Sequence, residues 1–66
     1  MLFQQLTGGE MVRVEVFPLD ENCWCLHSRH KNKEYAVINA EVVHKSQGCD
    51  VRVIENGEII LFLEGV

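Results

Sequence analysis

From residue 12 to residue 17 every second position is a valine: Val12, Val14 and Val16 alternate with Arg13, Glu15 and Phe17. A period of two sends alternate side chains to opposite faces of an extended chain, so the pattern predicts a half-buried β-strand over residues 10–17. Pro18 removes a ladder donor, and Asp20, Glu21 and Asn22 prefer water, so residues 18–22 read as a turn. A second alternating run over 23–28 sets Trp24 and Leu26 against Cys23, Cys25 and His27. Residues 29–33 form a polar loop, after which Tyr35 and Val37 alternate with Ala36 and Ile38 over 34–39. These two runs predict a hairpin across the loop.

Residues 40–47 fit two elements. Asn39 is a candidate cap for a short helix with Val42 and Val43 turned inward. The adjacent β-branched pair suits a further short strand or an irregular turn, and that is the reading preferred here. The last segment is the clearest. Runs over 49–55 and 58–63 flank Asn56-Gly57, the dipeptide of a two-residue type I′ hairpin, whose central residues both need positive φ. In uninterrupted register Val53 faces Ile60 and Val51 faces Phe62, which defines a core side. The other side then carries Ile54, Ile59, Leu61 and Leu63, interrupted by Arg52 and Asp50.

Leu2, Phe3 and Leu6 share one face of a single helical turn, and Gly8-Gly9 breaks the chain after it. The whole predicts an all-β fold: a short N-terminal arm at 1–8 and one domain over 9–66. That domain is a small antiparallel barrel or curled sheet of about five strands, SH3-like or OB-like. Met1-Leu2 and Gly9-Glu10 resemble the start of the carbon storage regulator family, small RNA-binding β dimers. The resemblance covers residues 1–10 alone, and the basic content of that family is missing, so no membership follows.

Composition narrows the functional classes. Sixty-six residues allow one core, and a hydrophobic fraction of 47% is that of a folded chain. Ten acidic against six basic residues give a net charge of −4, which disfavours non-specific attraction to nucleic acid or anionic membranes. No membrane association is expected: the apolar run 59–63 is far short of the ~20 residues that span a bilayer, and residues 1–6 lack the pattern of a leader. Three cysteines, an odd number, fit a reducing, cytoplasmic setting.

Three groups of residues offer chemistry. Cys23, Cys25, His27 and His30 fall within eight positions, with His44 and Cys49 elsewhere, and such ligands favour zinc or copper(I). On a straight strand at roughly 3.3 Å per residue Cys23 and His27 stand about 13 Å apart, beyond the reach of one ion. The cysteines then read as small buried hydrophobes beside Trp24, and no metal site or cofactor is expected. The chain lacks a phosphate loop, a paired-carboxylate motif or a defensible triad, so no catalytic residue is assigned. Arg29, His30, Lys31 and Lys33, with Tyr35 beside them, are the candidate nucleic-acid contacts, against the plainer reading of a solvated loop. Trp24 is a stacking surface in that case and a core anchor otherwise.

The expected function is therefore a non-catalytic β module of inhibitor or adaptor type, acting through contact with a protein partner of unknown identity and self-associating as a homodimer, with the arm residues Leu2, Phe3 and Leu6 as the alternative cover of its second apolar face. Ile54, Ile59, Leu61 and Leu63 form its expected interface, because an alternating strand should not be apolar on both faces. The alternatives are a small RNA- or single-stranded-DNA-binding barrel using the loop 29–33, and a metal- or thiol-redox-responsive module at Cys23 and Cys25.

Overall fold

A computed structural model describes residues 11–65, and the arm over 1–8, with the resemblance at its ends, lies outside the described residues. The chain forms β1 (Val12–Phe17), β2 (Cys25–His30), α1 (Lys33–Gln47), β3 (Asp50–Glu55) and β4 (Glu58–Leu63). The four strands make one sheet in the order β2-β1-β3-β4, every neighbouring pair antiparallel. β2 and β3 thus run parallel on either side of β1. A chain linking parallel strands must cross over, and α1 is that crossover.

The helix lies on one face. Ala36, Ala40 and Val43 sit at i, i+4 and i+7 and are buried against Val12, Val14 and Val16 of β1 and Val51 and Val53 of β3, together with Cys49. Cys25, Leu61 and Leu63 pack around this core. Among the described residues no polar or charged side chain is buried.

The mostly β character expected from the alternation is present, but as four strands and a helix in an open sheet; the curled barrel is not confirmed. The expected third strand over 34–39 and the strand or turn over 40–47 are one continuous helix. Local capping decides this. Asn32, not Asn39, is the N-cap: its side-chain oxygen accepts the Glu34 N–H at 2.8 Å. Gly48 closes the other end at φ 68°, its N–H donating to the His44 carbonyl at 2.9 Å. Glu34 in the first turn and His44 and Lys45 in the last complement the helix dipole.

With no third strand to pair with, β2 pairs with β1 instead, and it runs two residues later than expected, so Arg29 and His30 belong to the strand and not to a loop. The Asn56-Gly57 turn forms as expected, at φ 54° and 80°. Its register does not run on unbroken. Glu55 pairs with Glu58 and Ile54 with Ile59, but Val53 then pairs with Leu61, Arg52 with Phe62 and Val51 with Leu63. Ile60 is the extra residue of a bulge, and every position after it changes face.

The helix assignment generates a test. Ala40→Leu forces a larger side chain between helix and sheet and should cost about 1–3 kcal/mol in urea unfolding. Val42→Lys, on the exposed side of α1, should stay within about 0.5 kcal/mol. The reverse result would put the other side of this segment inward.

Candidate protein-interaction face

The face of the sheet away from α1 has no second layer of helix or strand on it among the described residues, and Trp24 lies over part of it. Its side chains follow from register. One row runs Leu26–Glu15–Arg52–Phe62 across β2, β1, β3 and β4, and the next runs Arg29–Arg13–Ile54–Ile59. Leu26, Ile59 and Phe62 remain 47%, 54% and 50% exposed, while Ile54 is buried.

Trp24 organises this face. β1 ends at Phe17, and just beyond it Glu21 N–H donates to the Pro18 carbonyl at 3.2 Å and turns the chain back. The return brings Trp24 edge-on to Phe17, ring centroids 5.4 Å apart, and to Phe62 at 6.0 Å. The Arg52 guanidinium lies over the indole at 4.0 Å. Each aromatic pair is worth roughly 0.5–1.5 kcal/mol beyond area, and a cation over indole a similar amount. Arg52 also donates through Nη2 and Nε to the same Glu15 oxygen, Oε1, at 2.7 and 2.8 Å, and Arg13 Nε approaches Oε2 at 3.6 Å. The Glu15 and Arg52 side chains are only 13% and 23% exposed, so this pair is screened less than a surface ion pair.

The expected interface residues divide. Ile54 and Ile59 are cross-strand partners on this open face, whereas Leu61 and Leu63 turn to the helix side and border the core. Phe62, expected inward, takes their place outside. The bulge at Ile60 is the cause.

The basic group disperses. Arg29 lies on the open face beside Arg13, His30 faces the helix side with Nε2 2.9 Å from Ser28 Oγ, and Lys31 and Lys33 are exposed at the start of α1. Ser28 Oγ in turn donates to Asn39 Oδ1 at 3.1 Å, tying β2 to the helix. Tyr35 is exposed on α1, and Trp24 stands at the far end of β2 from the loop, about 20 Å along an extended strand. Arg29, His30, Lys31 and Lys33 are thus spread over both sides of the sheet and the start of α1.

All three cysteines are free thiols. Cys49 is buried in the core, and His27 is the extra residue of a second bulge, exposed with Nδ1 3.3 Å from Ser28 Oγ. Cys23 and Cys25, by contrast, converge. Because β2 starts at Cys25, Cys23 lies off the strand, and the Cys25 thiol donates to the Cys23 carbonyl at 3.8 Å. The two sulfurs and a Glu21 carboxylate oxygen all lie within 4.8 Å of one another. Partial burial pushes the Cys25 thiol pKa up, and the bond to Cys23 and the charges of Cys23, Glu21 and Asp20 push it further.

A shallow cleft of about 280 Å³ adjoins this cluster, lined by Phe17, Pro18, Leu19, Glu21, Cys49 and Gly65 among others. Its size falls below the roughly 300–1,000 Å³ of drug-sized ligand sites. No helix among the described residues is long and apolar enough to cross a membrane. No protein-family model matches the chain, and no curated protein or solved structure matches it either.

Sequence reasoning missed Trp24, Arg52, Glu15 and Phe62 as one group. The signal available was the polar pair Glu15 and Arg52 on strands otherwise rich in valine.

Two outcomes are expected. Arg52→Ala leaves Glu15 without its main partner and uncovers the indole; it should cost roughly 1–3 kcal/mol and shift Trp24 emission to the red. Alkylation under native conditions should label Cys23 first and Cys25 more slowly, since a raised pKa leaves less thiolate at a given pH. Cys49 should react only on unfolding, which peptide mapping by mass spectrometry resolves.

Proposed function

We propose that this chain is a non-catalytic protein-interaction module that works through the open face of its sheet, with a second copy of itself as the partner. The observation that carries the reading is the half-exposed Leu26, Ile59 and Phe62 around the Trp24–Arg52 stack. Aromatic residues and arginine are the side chains enriched where interfaces bury most energy, and contiguous apolar surface usually marks such a site.

Charge supports a copy as the occupant. Arg13 and Arg29 stand opposite each other in one row of this face, and Glu15, which Arg13 shares with Arg52, offsets this like-charge pair only in part, so further acid from a partner would relieve it. Asp20 and Glu21 lie at the other end of β1, in the turn that follows it. Two sheets packed face to face about a two-fold axis that runs between them and across the strands bring the arginine end of one over the acidic end of the other. Such an interface is self-complementary, as closed dimers require. Three free thiols accord with a reducing, cytoplasmic location.

Sedimentation equilibrium tests this. The unmodified protein should be dimeric at micromolar concentration and dissociate more readily as salt rises. Phe62→Lys should give a monomer with an unchanged circular dichroism spectrum. A protein that stays monomeric at millimolar concentration would remove the dimer.

A further inference from the structure

Independently of the open face, we infer that Glu21, Cys23 and Cys25 form a binding site for a thiophilic divalent cation of the zinc class. The ligand set is two sulfurs and one carboxylate oxygen, all within 4.8 Å of one another and all on one stretch of five residues. Zinc–sulfur bonds of about 2.3 Å and zinc–oxygen bonds of about 2.0 Å set tetrahedral ligand atoms about 3.5–3.8 Å apart, so the cluster needs to contract by about 1.3 Å at most. Glu21 and Cys23 are exposed, so their side chains can rotate to close on an ion held by Cys25, which stays half-buried at the edge of the core.

The segment is held in position from both sides. The Glu21 to Pro18 hydrogen bond fixes the turn ahead of the ligands. Between the two thiols, Trp24 is fixed by Phe17, Phe62 and Arg52. A cation therefore meets donors whose backbone is already ordered, which reduces the entropy lost on binding. Asp20 adds a further negative charge beside the site. Two thiolates select against calcium and magnesium, which take oxygen ligands.

Binding replaces two thiol protons by one metal ion: two Zn–S bonds and one Zn–O bond form, and the two protons pass to solvent. Three protein ligands leave the fourth tetrahedral position to water. The ion joins a surface turn and not the core, so the fold does not require it.

The test uses Zn²⁺ and Co²⁺ added to the full-length reduced protein. One equivalent of Zn²⁺ should bind per chain, with proton release and a change in Trp24 fluorescence. Co²⁺ should give thiolate charge-transfer bands and the visible bands of a tetrahedral centre. Cys23→Ser and Cys25→Ser should each weaken binding by more than about 100-fold, more than the loss of a second-sphere partner costs. Glu21→Gln should weaken it less, and Cys49→Ser not at all; circular dichroism checks that each variant folds. Absence of stoichiometric binding, full binding by the Cys23 and Cys25 variants, or half an equivalent per chain with four thiolates would each overturn the site.

Discussion

The contact on which the rest of the molecule depends is that of Ala36, Ala40 and Val43 with the valines of β1 and β3. The described residues hold one helix against a four-stranded sheet, and that helix covers one face. Alanines at i and i+4 let the helix backbone approach closely, so even short valines reach across and exclude water. A 15-residue helix is marginal alone, and the valine surface is what holds it. The same economy has a consequence for the remaining apolar side chains. Tyr35, Ile38 and Val42 fall on the outer side of α1, and Leu26, Ile59 and Phe62 fall on the side of the sheet away from it.

That inversion explains what was legible in the chain and what was not. The alternation at 12–17 and the Asn56-Gly57 turn were read directly, because each reflects a local requirement: period two for a strand against a core, positive φ for a tight hairpin. The helix is legible only as the less favoured choice over 40–47, since its inner face is built from small residues and its outer face from large ones. A reader weighing bulk sees Tyr35 and Val37 against Ala36 and Ile38 and infers a strand. The helical signals were nevertheless in place. They lay in the ends, Asn32 before the run and Gly48 after it, and not in the hydrophobic pattern between them.

The outer strands carry a second lesson. β2 and β4 each hold one bulge, at His27 and Ile60, on either side of the central row that pairs Val14 with Val53. An added residue lets an outer strand bend around the helix while the inner pair stays regular. In β4 it also decides which side chains become surface. Without it, Leu61 and Phe62 would exchange faces, the indole would lose its partner, and the core would gain a ring where Leu61 and Leu63 now fit. Nothing in the local sequence around Ile59-Ile60 distinguishes the bulge, because both positions are isoleucine. Only the three-dimensional requirement to fill the helix side selects it.

Trp24 links the two surfaces that this arrangement leaves open. Its ring is set by Phe17, Phe62 and Arg52 on the sheet, while its backbone neighbours, Cys23 and Cys25, present their thiols toward Glu21. Arg52 is in turn oriented by Glu15, so the indole, the guanidinium and the carboxylate adopt one mutually fixed geometry. A partner seated on the open face touches Phe62 and Arg52 directly and can shift the ring only by breaking these contacts. A cation held by the two thiols acts on the same residue through the backbone. Whatever free energy one event spends in moving Trp24 alters the other by the same amount, since linkage between two binding equilibria is reciprocal. The sign depends on whether both events favour one position of the indole. The present packing, with two edge-on rings and a stacked guanidinium, holds the indole in one position, so the two events are coupled only as far as one of them moves it.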